Sequence, residues 1–453
     1  MRLTRLVAGL VLLAVSLASG QWVEETILLP DSLGGLALPQ CLTYNSTNNT
    51  VYVGGGLGDC VIAIDGATNQ KIARIPAGLG ISALCHNPQD NRVYCANRYD
   101  NSVTVIDGAT NQVIITVTAG TEPRALCYNP TNNKVYCSNE GSDNMTVIDG
   151  ATDQVITTVA TGGAPGVLCY NPQNNKVYCA NGGSSDPGSS ITVVDGATNE
   201  VLATVPAGPW AKPLCYNPTN NKIYTCARNN SVAVIDGATD SVLATVTAGY
   251  CIIAICHNLQ NNKVYCAYGY GDFGQVTVID GESDHIITTA GVGADPRALC
   301  YDSQYNKVYC ANYGSDNVTV MDGASNVWDT TICVGVNPTA LVSVPATGRV
   351  YVANYGNSSI SVLRDTTPSG IEELGSDMQR AGAATVVRGV LFLAQTASHK
   401  PQAASLLDIS GRKVLDLKPG PNDVRALSPG VYFVREAQAQ AQAQAVRKVV
   451  LTR

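Results

Sequence analysis

One unit recurs down this chain, and it limits the fold more than any other feature. It reads close to P-x-A-L-C-Y-N-P-x-N-N-K-V-Y-C-A-N-x-G-S-D-N-V-T-V-I-D-G-A-T-N-x-V-I-T-T-V-x-A-G. The Asp ending its V-I-D-G segment falls at Asp65, Asp107, Asp149, Asp195, Asp236, Asp280 and Asp322, and a degenerate eighth copy, ISVLRD, ends at Asp365. The span from 65 to 365 covers 300 residues in seven intervals, about 43 each, inside the ~40–45-residue range of propeller blades. Each unit holds four short alternating runs; in the third copy they are RALCYN, KVYCSN, MTVID and QVITTVA. Turn-forming NPTNN, GSDN and DGATD separate them. Four antiparallel strands cannot bury both faces alone, but a radial arrangement packs every sheet on its neighbours.

The expected fold is therefore an all-β propeller of four-stranded blades followed by a small C-terminal β-sandwich. Eight copies of the first three strands are visible, but only seven fourth strands follow them. The N-terminal VEETILLP (23–30) resembles QVIITVTAG in pattern, and supplied to the last blade it closes the ring as a non-covalent latch. Eight blades are favoured; seven plus an irregular unit is the alternative. Composition agrees, with 43 Gly, 21 Tyr, only 3 Phe and 14% charged residues, a balance suited to short strands and tight turns. A net charge of −7 and no basic stripe in the repeats exclude a nucleic-acid backbone as the expected partner.

KVYCAN, VTVIDGATNQVIITV and their spacing resemble the YVTN-type β-propeller repeat family, in the WD40/YVTN repeat-like and quinoprotein-dehydrogenase-beta-chain-like group, over residues 21–366. The resemblance is specific for fold and implies little about function, because that family mixes surface-layer proteins, binding modules and distant enzyme relatives. One departure stands out. Where such repeats usually carry an aliphatic residue in V-Y-V-A-N, this chain mostly carries Cys.

The two ends give an address. Arg2 and Arg5 precede LVAGLVLLAVSLA, and small residues Ala18 to Gly20 follow, so residues 1–20 read as a secretory signal peptide. No later stretch reaches the roughly 18 uninterrupted apolar residues of a membrane-spanning helix. After a polar linker at 367–384 come LLDISGRKVLDL, LSPGVYFVR and the terminal RKVVLTR, which are similar to type A C-terminal sorting domains of the type IX secretion system. Over residues 385–453 the resemblance implies a partner in the bacterial outer-membrane export machinery. The expected location is extracellular or on the outer cell surface. AQAQAQAQA (437–445) sits where a turn is expected before the last strand.

The sixteen Cys fall mostly in pairs: 85/95, 127/137, 169/179, 256/266 and 300/310 are ten apart, and 215/226 eleven. Taking Asn132 as the hairpin midpoint sets Cys127 opposite Cys137, close enough for a bridge. Two thiols on one sheet face do not supply a tetrahedral zinc site, and a catalytic dithiol would not be copied six times. Two readings stay open. The cysteines are core thiols in Val-sized sites, or they form the cross-strand disulfides Cys85–Cys95, Cys127–Cys137, Cys169–Cys179, Cys256–Cys266 and Cys300–Cys310, which export would favour. With Cys41 set opposite Val53 and Leu341 opposite Val352, the position is first of all apolar core.

Function is expected at one rim. The turns between strands one and two and between three and four are nearly monotonous, whereas the remaining connections vary in length and chemistry. The variable rim gathers Arg98, Tyr99, Glu122, Arg124, the stretch 181–190, Trp210, Lys212, Arg228, Tyr250, Tyr268, Tyr270, Asp272, Phe273, Asp295, Arg297, Tyr313 and Tyr355. Aromatic faces beside a few charges suit a protein or glycan partner. The Asp of each D-G-A-T reads as an Asx turn. Catalytic signatures are thin: four His, no G-x-S-x-G, no H-E-x-x-H and no Walker loop. The expectation is a non-catalytic binding or scaffold module with no cofactor and no metal. The alternative is a lactonase-like or quinoprotein-dehydrogenase-like enzyme with its site at the central channel.

Overall fold

The computed structural model describes residues 21–29, 38–182, 189–207, 213–226 and 230–365, and in the tail 385–387, 390–393, 404–407, 412–417, 420–423, 427, 430–436 and 446–451. The signal segment, the 367–384 linker and the AQ repeat lie outside the described residues. The chain divides into two compact units, Met1–Pro368 and Ser369–Arg453.

The first unit is a propeller of eight four-stranded blades. Blades 1 to 7 are continuous in sequence, at 39–76, 81–118, 123–160, 165–206, 214–247, 252–291 and 296–333. Blade 8 takes three strands from 338–364 and its outermost from Trp22–Leu28, which pairs antiparallel with Ser359–Arg364. This is the expected latch. The first strand of every blade is innermost, and successive first strands neighbour one another around a closed ring.

Side-chain alternation explains the packing between blades. Tyr94, Ala96, Val103, Val105 and Val117 on one face of blade 2 meet Val135, Cys137 and Ile148 on the facing side of blade 3, all buried. The second strand of each blade contributes a fully buried Tyr, and these eight are the largest inaccessible side chains of the core. Each hydroxyl donates to a carboxamide or carboxylate in the next blade. The ring runs Tyr52 to Asn111 (2.6 Å), Tyr94 to Asp153, Tyr136 to Asn199, Tyr178 to Asp240, Tyr224 to Asp284, Tyr265 to Asn326, Tyr309 to Asp365 and Tyr351 to Asn69 (2.6 Å). A buried phenol needs such a partner.

The cysteine pairs require a correction. The hairpin closes at Asn129 opposite Lys134, so Cys127 faces Tyr136 and Cys137 faces Leu126. The same offset separates 85 from 95, 169 from 179, 256 from 266 and 300 from 310. One residue of offset puts the two thiols of each pair on opposite sheet faces, so none of the five expected bridges can form. The cause is the turn. Asn129 Oδ1 accepts from the Thr131 and Asn132 N–H groups, and Asn133 is left-handed at φ 50°, which gives four turn residues and a symmetry point between 131 and 132. By the same register Leu42, not Cys41, faces Val53, while Leu341 does face Val352. No two of the sixteen cysteines are bridged in this structure.

Among its described residues the tail unit is also built of strands: a five-stranded sheet, in which Gly430–Glu436 pairs with Val446–Leu451, and a two-stranded one.

Candidate functional site

The two rims are built differently. At the monotonous rim each D-G-A-T Asp closes an Asx turn; Asp107 Oδ1 accepts from Ala109 N (3.0 Å), Thr110 N (2.7 Å) and Thr110 Oγ1 (2.9 Å). These bonds to the charged form, with the Thr110 N–H foremost, hold its carboxyl below the usual range. The neighbouring Gly108 is needed for space, since a Cβ there would lie 2.4 Å from Asn91 Oδ1 and 2.5 Å from Asn45 Nδ2. At the variable rim the connection between strands two and three in blades 2, 3, 7 and 8 docks on the loop that enters the same blade. The N–H groups of Arg98, Glu140, Tyr313 and Tyr355 donate to the carbonyls of Gly80, Glu122, Asp295 and Asn337.

The expected rim residues separate into three groups. At blades 2 and 3, Arg98 Nη2 bridges Glu122 (2.7 Å) and Glu140 (3.1 Å), and Arg124 Nε lies 3.9 Å from Glu140. The hydrogen bond that Arg98 donates to Glu122 raises the Arg98 pKa above its ordinary value. Tyr99 beside them is exposed and covers Gly80, whose φ of 71° requires glycine there. At blades 5 and 6, Tyr250, Tyr270, Asp272 and Phe273 are exposed. Tyr268 differs: it is buried in the blade 5–6 core, 6.5 Å from the Phe273 ring, with its hydroxyl on Gln275. At blade 7, Arg297 Nη2 donates to Asp295 (2.7 Å) and stacks 5.1 Å over the Tyr313 ring. Asp295 Oδ1 is buried without a partner. Tyr355 is half-buried on the next loop. Trp210, Lys212, Arg228 and 183–188 lie outside the described residues.

The central channel is lined by the innermost strands. Among the described residues, positions three to six of these strands carry no Asp, Glu, Lys or Arg; they read CLTY, ALCH, ALCY, VLCY, LCY, AICH, ALCY and ALVS. Two imidazoles are present. Burial brings His86 down to about 4, with Nε2 lacking a partner, and lowers His257, whose Nε2 meets Asn262. They occupy equivalent places in blades 2 and 6, four blades apart in a ring of eight.

Comparison with known proteins places this geometry. A family profile described as "Lactonase, 7-bladed beta-propeller" matches residues 65–155, from the end of the third strand of blade 1 into blade 3. No curated protein matches the chain. Among solved structures, hydrazine synthase of Kuenenia stuttgartiensis is similar over 73% of this chain and 96% of that one, with TM-score 0.53 and 16% identity. Sqt1 of Saccharomyces cerevisiae is similar over 76% of this chain and 98% of its own, with TM-score 0.62 and 10% identity. At these identities the likeness is one of fold.

Sequence reasoning missed Glu140, which ties Arg98 to Arg124. The signal was available: Glu140 follows Asn139 as Arg98 follows Asn97, one repeat earlier, so the two are brought together by the period itself.

Proposed function

We propose that this chain is an exported, non-catalytic binding module that holds a protein or glycan partner on its variable rim at the outer cell surface. The observation that carries the reading is the exposure of Tyr270 (82%), Tyr250 (67%) and Phe273 (52%) on the one rim whose loops differ from blade to blade. Uncovered aromatic faces of this kind supply contact area at low entropic cost, and the charged group at blades 2 and 3 adds orientation. The signal segment and the sorting-domain resemblance support delivery outside the cell.

The test is retention of surface glycans and surface proteins by the intact chain and by the double variant Tyr270→Ala, Phe273→Ala. Binding by the wild type that is lost in the variant is expected. A well-folded propeller that retains nothing, or a variant that binds equally well, defeats the reading. For export, removing 385–453 should leave the propeller folded inside the periplasm; normal release of the truncated chain refutes the sorting assignment.

The profile match over 65–155 favours a second reading, a lactonase-like hydrolase with its site at the channel. Such a site needs converging acid and base groups. Saturable lactone hydrolysis by the purified chain, abolished by substitution at the channel wall, would replace the binding reading.

A further inference from the structure

We propose that Cys226 and Cys266 form a disulfide that staples blade 5 to blade 6, and that it is the one bridge among the cysteines of the repeats. The argument begins with an irregularity in blade 5. Blades 2, 3, 4, 6 and 7 read Val-Tyr-Cys followed by a small residue, as in Lys-Val-Tyr-Cys-Ala-Asn, whereas blade 5 reads Lys-Ile-Tyr-Thr-Cys. The cysteine has moved by one place, and in a strand one place exchanges faces. It leaves the side toward blade 4 and joins the side toward blade 6.

The repeat then fixes what it meets. The small residue at this place packs in one cluster with the second-strand core residue of the following blade: Ala96 with Cys137, Ala267 with Cys310, Ala353 with Val53. In blade 5 that small residue is Cys226, and the facing residue is Cys266. Both are buried in a single cluster with Val232, Val234, Ile252 and Val264. The neighbouring Cys226 thiol is the main cause that raises the Cys266 pKa well above the ordinary thiol value, with burial second.

Competing partners are engaged elsewhere. Cys95, Cys137, Cys179 and Cys310 each donate to the Oδ1 of the Asn two residues on, at 3.3 to 3.7 Å. Cys41 turns to the Ile81 carbonyl. Cys266 has Tyr268 where those blades have Asn, so no carboxamide takes its S–H.

The chemistry is a thiol–disulfide exchange. A disulfide donor, either a thiol oxidoreductase in its disulfide form or a small-molecule disulfide, is attacked by one thiolate to give a mixed disulfide. The second thiolate displaces it, so the two cysteines lose two protons and two electrons and the donor leaves as two thiols. In the closed interface the neighbouring Cys226 thiol and burial together hold Cys266 in its protonated form. The exchange therefore belongs to folding, before blades 5 and 6 close. In the cell the donor comes with the exported setting, and to that extent the inference rests on the export reading.

The test supplies the donor directly. The full-length chain, unfolded under reductant, is refolded with oxidised and reduced glutathione; remaining thiols are alkylated and unreduced peptides are mapped by mass. The expected result is a linked pair of peptides carrying Cys226 and Cys266, with the other cysteines of the repeats alkylated. Cys226→Ala, the residue most blades carry there, should refold without a bridge, and its Tm should not respond to reductant, whereas the wild-type Tm should fall. Both thiols alkylated in the folded wild type, or Cys266 linked to Cys215 instead, overturns the proposal. Should refolding yield aggregate, the same mapping on chain recovered from an oxidising secretory compartment gives the same decision. A bridge after refolding but none in exported chain would fault the export reading and leave the pairing intact.

Discussion

At the scale of single residues, the cysteine that replaces the aliphatic of V-Y-V-A-N has a use that packing alone does not supply. In blades 2, 3, 4 and 7 the thiol donates to the Oδ1 of a fully buried or nearly buried Asn two residues on. The Asn Nδ2 is already committed, for example Asn139 to Asn144 and Thr146. Blade 8 is the natural control: Val352 stands in the cysteine's place, and Asn354 Oδ1 is buried with no partner. An orphaned acceptor costs roughly 1–3 kcal/mol, the lower end applying to a weak S–H donor. Cys137→Val should therefore lower stability by about 1 kcal/mol in urea titration, and Val352→Cys should raise it by a comparable amount. A neutral Val352→Cys would show that the thiol is mere filling. His86 supplies a second residue-scale prediction. Its folded pKa of about 4 lies below the ordinary 6.5, so the unfolded chain binds the extra proton between those values. Its contribution is thus complete above pH 6.5 and is lost as pH falls toward 4. His86→Tyr, the residue of most other copies, should flatten the acid limb of a pH–Tm profile; an unchanged limb would assign the loss to other groups.

At the scale of elements, the turns that looked like simple punctuation prove to be joints between blades. The last Asn of N-P-x-N-N is left-handed in blades 1 to 7, with φ of 49–53°. Its Oδ1 accepts from the first-strand Asn of the preceding blade, as in Asn45 to Asn91 and Asn129 to Asn175, at 2.8 to 3.0 Å. Its Nδ2 donates back to the preceding turn, as Asn175 does to Asn132. This belt crosses six boundaries and stops at blade 8, where Gly348 replaces the turn Asn and Val344 the strand Asn. Asp302 is left at that seam in place of Asn, with Gln304 N–H on Oδ1 and nothing on the buried Oδ2. Desolvation raises its pKa. With the folded value above the unfolded one, wild-type stability falls as pH rises through the raised pKa. Asp302→Asn should accordingly be more stable than wild type at pH 7, with the advantage shrinking as acid protonates the carboxyl. An advantage that grows in acid would reverse the assignment. How much of this was legible follows from where each contact lies. Turn residues repeat because every blade needs the same joint, so the period, the strand count and the Asx turns could be read directly. The hairpin register could not, because a spacing of ten is compatible with either of two turn lengths that differ by one residue. Nor could the grouping of the rim, since Arg98 finds Glu140 across a blade boundary that the linear sequence does not mark.

At the scale of the molecule, the ring must close without a covalent bond between its first and last strands, and the asparagine belt is absent from the boundaries of blade 8. Ion pairs bridge this seam, as they also do between blades 2 and 3, 4 and 5, and 5 and 6. Lys307 bonds Asp365 at 3.1 Å between blades 7 and 8, both nearly inaccessible. Arg349 reaches from blade 8 to the Gly66 and Ala67 carbonyls of blade 1 (2.7 and 2.8 Å) while its Nε and Nη2 grip Glu24 of the latch strand at 2.6 and 2.7 Å. That one guanidinium joins the last three-stranded segment, the first blade and the N-terminal strand. The hydrogen bonds that Arg349 donates chiefly hold the Glu24 carboxyl below its usual range, so this contribution is present above the ordinary carboxylate pKa and is lost as pH falls through the lowered one. Breaking a buried charge pair typically costs about 3–5 kcal/mol, whereas an exposed one is worth about 0–1. Arg349→Ala should therefore cost several times as much as Arg74→Ala, which removes the exposed pair to Asp59. Its effect should shrink when residues 21–29 are also deleted, because part of the interaction has already gone. Denaturant titration of the four chains measures that coupling. Equal costs for Arg349→Ala and Arg74→Ala would mean that the backbone ladder alone holds the ring shut.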